Sequence, residues 1–427
     1  MSADEQFDAI IVGAGPAGSS CAYVLAREGK SVLMVERGET AGSKNVTGGR
    51  LYTYALEMVE PGLYARAPLQ RKVVREQIML IGKHDAVTID YTDYDFGENV
   101  PQSYTVLRAP FDEWFAGEAE AQGAMVATGI LVDELLEKEG KIVGIRAGED
   151  EMYADVVIAA DGVNSLIAQQ AGLRQDIAAT MVGVGVKEII ELPDEVIEAR
   201  FNLKGNEGVA RVGLGCTEGI SGGMFLYTNQ GSLSLGLVMN PEQVGRQGRK
   251  IHDLLQDLKL HPAIAPLLEG GSTVEYGAHL VLELGLKGVP EKLYREGLLL
   301  TGDAAGFSIN TGTILRGIDL AIVSGLAAAN AVLKAGAPSQ VGPLYLKELE
   351  ALWLLPTMKL FAGWPQILEN PRMYAEYPAM LNEAMRFMFT VDGRVPEKMT
   401  KAMSGIVRRH VSLGQLIGDA WKGFRSI

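Results

Sequence analysis

Two cysteines in 427 residues, Cys21 and Cys216, are too few for a self-contained four-cysteine iron–sulfur cluster, and they show no C-x-x-C spacing. Their scarcity is consistent with a reducing compartment. Histidine is scarce as well: His84, His252, His261, His279 and His410 are scattered, without metal-ligand spacing and without a catalytic triad, so no metal site is expected. No run of about 18 apolar residues is uninterrupted, which excludes a spanning helix. Positive charge is in deficit, 39 Lys and Arg against 53 Asp and Glu. The net −14 argues against nucleic acid or a generally anionic surface as partner, while leaving room for a local basic patch. The acidic, polar residues before the first strand do not fit a signal peptide, and a cytoplasmic location is expected.

What is present is a soluble globular composition, 47% hydrophobic and 22% charged, long enough for two or three domains. Its 51 glycines exceed average usage, as expected where backbone turns approach a bound ligand. The most informative segment is residues 7–18. The run 9–12 reads as a buried strand, followed by Gly13, Gly15 and Gly18 in a G-x-G-x-x-G turn that includes Pro16 and Ala17, then a helix over 19–27. Gly13 permits the tight turn, Gly15 lets a pyrophosphate approach the backbone, and Gly18 lets helix and strand pack closely. The helix N-terminus offers free N–H groups to phosphate. A second strand over 31–35 ends at Glu36, followed by Arg37; the carboxylate is placed to hold ribose hydroxyls and repels a 2′-phosphate, favouring FAD or NAD over NADP.

Two later segments repeat the pattern. The strand 155–160 delivers Asp161 and Gly162; the strand 298–301 delivers Gly302 and Asp303, followed by a long apolar helix over 317–333. Each sets a carboxylate and a glycine at a strand's carboxyl end, where open α/β sheets bind ligands. Asp-Gly alone is a turn signal, so the weight lies in three such stations. No second G-x-G-x-x-G follows.

These stations, with Arg108 in the run Tyr104-Thr-Val-Leu-Arg-Ala-Pro-Phe-Asp-Glu-Trp-Phe, resemble the flavoproteins typified by p-hydroxybenzoate hydroxylase and the geranylgeranyl reductases. Lys44-Asn-Val-Thr-Gly48-Gly49-Arg50-Leu-Tyr and the run from Phe307 through Asn310-Thr-Gly312-Thr313-Ile314 to Ala321 narrow this to the FixC family, bacterial relatives of electron-transfer-flavoprotein:quinone oxidoreductase. Gly183-Val-Gly-Val-Lys-Glu, Gly222-Gly-Met-Phe-Leu-Tyr-Thr-Asn and Glu369-Asn-Pro-Arg-Met-Tyr add support, so the resemblance spans nearly the whole chain. It implies an α/β fold: a Rossmann-like FAD-binding domain of the p-hydroxybenzoate hydroxylase type over 1–69, 107–177 and 291–340. A sheet-rich α+β substrate domain is inserted over 70–106 and 178–290, and a helical region follows over 341–427. FAD is the implied cofactor. The glycine turn would hold its pyrophosphate and Glu36 its adenosine ribose, Val132 would meet adenine through its backbone, Asp161-Gly162 would lie near the pyrophosphate, and Asp303 would meet the ribityl chain. Arg108 would contact the phosphate or ribityl region; its alternative is an ordinary surface arginine at a helix start.

Reduced flavin is anionic around N1 and O2. Amides of Gly312, Thr313 and Ile314, just before a helical region, are candidates to stabilise it, with Arg316 adding charge or holding the loop. Residues 44–50 would run over the other edge of the ring, with Gly48 and Gly49 giving close approach; a plain interdomain connection is the competing reading. The β-branched and aromatic runs of 178–283, including an imperfect alternation over 233–239, suit a sheet covering the flavin. There His279 is a candidate proton relay to a quinone oxygen or an ordinary structural histidine. The segment 352–368 carries two tryptophans, a phenylalanine and repeated leucines, and Pro356 and Pro365 prevent one straight helix. Lipid contact, partner docking and buried packing all remain open for it. The tail is locally basic through Lys398, Lys401, Arg408, Arg409, Lys422 and Arg425, suited to anionic lipid, an acidic ferredoxin or solvent.

The resemblance implies electrons arriving from an electron-transfer flavoprotein of the FixA/FixB type, through a small ferredoxin-like FixX partner, and leaving to a quinone. It also implies a site at the inner face of the cell membrane and a place in a complex that bifurcates electrons. Three rivals remain: a prenyl reductase, whose group carries a cysteine in the loop matching 44–49 that is missing here; an NAD(P)H-dependent monooxygenase; and an assembly subunit with structural FAD.

Overall fold

The computed structural model describes residues 6–43, 48–97, 99–175, 178–179, 182–282 and 284–426. Its first sheet has a parallel core in the order Leu298–Leu300, Asp150–Ala159, Gln6–Val12, Val32–Val35, Met125–Ala127. Both faces of this core are covered, which is why its strands read as continuous apolar runs: Ile10, Ile11, Met34, Val157 and Leu298 have no exposed surface. The helix Pro16–Arg27 packs on the sheet and against the helix Ile318–Lys334. The two helices touch backbone to backbone, since a Cβ on Gly325 would sit 2.1 Å from the Ala17 carbonyl oxygen. The first helix begins at Pro16, three residues before the expected start, because proline at a first helical position loses no hydrogen bond.

The second sheet runs in the order Ser272–Leu282, Val182–Glu191, Ser232–Met239, Gly222–Asn229, Glu207–Leu214, Leu69–Ile81, Ser103–Leu107, Gly48–Tyr52, with Ala86–Thr92 paired to Leu69–Ile81. Its strands come from 48–107 and 182–282, so residues 48–52 pair with this sheet although they precede residue 69. One face packs on the helices Asp194–Phe201 and Ile251–Leu260 through Leu233, Leu235, Leu237 and Met239. Alternation along the strand turns Gly236 and Val238 to the opposite face. Arg71 ties the sheet together: with 1% of its side chain exposed, it donates to the carbonyls of Asn229 (2.9 Å) and Gly205 (2.6 Å) and pairs with Asp194.

The C-terminal region is helical over Pro338–Ala351, Leu354–Leu360, Trp364–Leu368, Glu376–Phe389, Met399–His410 and Leu413–Ser426. The expected break within 352–368 falls between two short helices. The last helix is fastened by Arg372, which grips Asp419 through two bonds of 2.6 Å. Among the described residues, no helix is long and apolar enough to cross a membrane.

Candidate functional site

A long cavity lies between the two sheets, lined from the first by Val12, Gly13, Gly15, Pro16 and Ala17 and from the second by Gly185, Phe225 and Val238. The three glycines of the turn do different work. Gly13 has φ of +106°, and a Cβ there would lie 2.4 Å from the Ala160 carbonyl oxygen. Gly18 packs so closely that a Cβ would lie 1.9 Å from the Gly13 oxygen, and it does not line the cavity. Gly15 faces open space, with no protein atom within 4 Å of such a Cβ. The turn is therefore closed by protein on two sides and open on the third, the shape a backbone cradle for a diphosphate requires.

Glu36 ends the strand Val32–Val35 and borders the cavity. Its carboxylate accepts from the amides of Ala14 (3.1 Å) and Gly38 (2.7 Å), which locks the acid against the glycine turn. Arg37 and Val132 line the same end, and the Ile130 amide donates to the Glu36 carbonyl oxygen at 2.9 Å, fixing the 130–132 segment there. Arg108 opens the helix Arg108–Ala121, and its guanidinium is held at the cavity by a two-pronged pair with Asp112 at 2.9 and 2.7 Å.

Asp161 and Gly162 follow the strand Asp150–Ala159 and line the cavity. Asp161 also accepts from the Ile167 amide (3.1 Å) and Ser165 hydroxyl (3.2 Å), so it organises the next helix as well; burial pushes its carboxyl up. Gly302 and Asp303 lie in a short 3-10 turn, the Gly302 amide donating to Ser324 at 2.8 Å. Burial pushes the Asp303 carboxyl up against the opposing charges of His279, Arg108 and Arg174. Gly49 and Arg50 line the cavity, and Lys44 lies outside the described residues.

Gly312, Thr313 and Ile314 form the tip of a hairpin between Ile309–Asn310 and Leu315–Arg316, and the helix follows from Ile318, next to its expected start. The Gly312 amide donates to the Asn310 side chain (2.7 Å) and the Ile314 amide to the Thr311 hydroxyl (3.1 Å), which closes the turn. The residues of this stretch that reach the cavity are Leu315, Arg316, Gly317 and Ile318.

The wall contributed by the second sheet includes side chains that sequence reasoning did not single out: Lys187, Phe225 and Tyr227, beside the expected His279. The Phe225 and Tyr227 rings stack with centroids 5.4 Å apart. Lys187 is 2% exposed, and its Nζ has no hydrogen-bond partner among the described residues. Burial pulls its ammonium down to about 7, and it pulls the His279 imidazole below its ordinary range. The sequence signal was faint: a lysine two residues after a glycine in a strand, with its glycine neighbours on other strands.

Residues 6–200 match the family model described as FAD binding domain, residues 182–281 that described as ETF-QO, ubiquinone-binding, and residues 364–427 that of the ETF-QO/FixC family C-terminal domain. Protein FixC of Escherichia coli K12 is 46% identical over 98% of this chain and 99% of its own length. The chain belongs to the ETF-QO/FixC family. A second relative, named "Probable electron transfer flavoprotein-quinone oxidoreductase YdiS" in the same organism, is 44% identical over 98% of this chain and 99% of its own. The geranylgeranyl bacteriochlorophyll reductase-like protein of Thermoplasma acidophilum shares the fold, with a TM-score of 0.72 at 21% identity over 95% of this chain and 96% of its own. Like its family, the chain is an FAD-dependent flavoprotein oxidoreductase of α/β fold. The residues present fit that cofactor: an open glycine cradle, a fixed acid at the strand end and an arginine held at the cavity.

Proposed function

We propose that this protein passes electrons from an electron-transfer flavoprotein to a quinone. The observation that carries the reading is one cavity bordered by both the glycine cradle and the sheet that matches the ubiquinone-binding model. When bound, FAD would supply the two-electron chemistry. The chain's part is to hold and shield. Amides at the start of Pro16–Arg27 receive the pyrophosphate, Glu36 the ribose hydroxyls, and the 130–132 backbone the adenine. Asp303, Asp161 and Arg108 meet the ribityl and phosphate groups, and Arg50 and Gly49 close the far edge. The aromatic wall of Phe225 and Tyr227 excludes water from the space beside them.

The partners in this reading are electron-transfer-flavoprotein subunits of the FixA/FixB type and a ferredoxin-like FixX protein that supplies the cluster this chain has too few cysteines to build. The complex would be a FixABCX assembly in which this step is the exergonic arm of electron bifurcation. Contact with the inner face of the cell membrane would run through 352–368, where Trp353 is 76% and Leu360 65% exposed. Anaerobic absorbance titration tests the whole reading. Flavin bleaching only by reduced electron-transfer flavoprotein with the ferredoxin-like protein, and recovery on adding quinone, is the expected result. Prompt bleaching by NADH or NADPH alone would instead favour a stand-alone reductase or monooxygenase.

A further inference from the structure

We infer that Lys187 is the residue that holds a carbonyl oxygen of the quinone, an assignment that rests on the quinone reading above. The register surrounds this lysine with absence. Its directly opposite neighbours are Gly236 on one side and Gly277 on the other, so neither of them supplies a side-chain acceptor. The Phe225 ring lies over Gly236, the residue opposite Lys187, where a Cβ would come 2.4 Å from its Cζ. The charged groups around it are Glu275, which is exposed two residues along the neighbouring strand from Gly277, and Arg108, which lines the same cavity and repels it.

An ammonium buried without a partner is costly, and a fold retains one where a ligand returns the loss. The nucleotide end has its own donors in the glycine turn and Arg108, whereas on the second sheet the lysine and an aromatic pair share one wall. A flat ring against Phe225 and Tyr227 with an oxygen at Nζ satisfies both features. Reduction of a quinone to a quinol takes two electrons, here from the reduced flavin, and two protons, one to each carbonyl oxygen. The oxygen gains negative charge as electrons arrive, so a fixed cation assists most during the transfer. Lys187 binds and stabilises; the protons come from solvent.

The test uses the holoprotein and Lys187→Met, which fills similar space without charge. Binding of a short-chain ubiquinone is read from the perturbation of oxidised flavin absorbance, and FAD affinity from reconstitution of the flavin-free protein. The expected result is a quinone Kd raised about 10- to 100-fold, the value of a hydrogen bond to a charged group, with FAD affinity unchanged. Lys187→Gln, which keeps a donor without charge, falls between the two. Unchanged quinone binding in Lys187→Met would overturn the assignment. So would parallel loss of FAD, which would place Nζ on the cofactor. Failure of the wild-type protein to bind quinone would overturn the electron-acceptor reading and this assignment together, an outcome distinct from either.

Discussion

Arg316 reaches the buried Asp319 carboxylate through both Nε (2.8 Å) and Nη2 (2.7 Å), and the same Nη2 donates to the Tyr54 hydroxyl at 2.8 Å. Tyr54 in turn donates to Asp319 at 2.9 Å, closing a triangle that joins the hairpin, the helix Tyr54–Val59 and the first turn of Ile318–Lys334. An acid in that first turn also complements the helix dipole. Replacing Asp319 by Ala leaves the arginine unpaired beside the cavity, and urea unfolding should show a loss of about 3 kcal/mol. Asp319→Asn, which still accepts a hydrogen bond, should lose less.

The glycine turn separates folding from binding. Gly18→Ala drives a methyl into the Gly13 carbonyl and Ile11 side chain, and the flavin-free protein should lose about 1–3 kcal/mol or more of stability. Gly15→Ala meets no protein atom within 4 Å, so its flavin-free stability should stay within about 0.5 kcal/mol of wild type. Its FAD affinity should still fall, by about tenfold for each 1.4 kcal/mol by which the methyl weakens pyrophosphate binding. Equal FAD affinity in Gly15→Ala and wild type would mean that the pyrophosphate lies elsewhere.

Glu36→Arg removes the acceptor for two backbone amides and sets a cation where ribose hydroxyls are expected. The purified variant should carry little flavin, measured as the ratio of visible to protein absorbance. Normal occupancy would show the ribose assignment to be wrong.

Lys187 makes stability depend on pH with a definite sign. Its ammonium titrates at about 7 in the folded chain against 10.5 ordinarily, so between those values the unfolded chain binds more protons. Stability conferred at this site therefore rises with pH across that window and is lowest below it. Lys187→Met in flavin-free form should be more stable than wild type at pH 7, with a gap that closes towards pH 10. A gap constant with pH would mean that the lysine is not desolvated.

Most of the cavity's glycine-turn end is legible in the sequence because its logic is local. Strand, glycine turn, helix and terminal acid lie within residues 6–36, and hydrogen bonds from backbone to near neighbours set their geometry. The hairpin at 309–316 is not legible in the same way, and its sequence reads as the approach to a helix. Its closing bonds, Gly312 to Asn310 and Ile314 to Thr311, end on side-chain acceptors that apolar periodicity does not register.

The sequence by itself determined the glycine turn with its terminal acid, the break within 352–368 and the family. Each is carried by glycine, proline or motif chemistry acting over a few residues. Only the tertiary structure decided what faces the cavity on its other wall. Arg71 finds its acceptors 134 and 158 residues away, and Lys187 owes its isolation to glycines on two neighbouring strands. A strand's side-chain direction follows from its own alternation, but its neighbours follow from register, and register is settled by which strands pair.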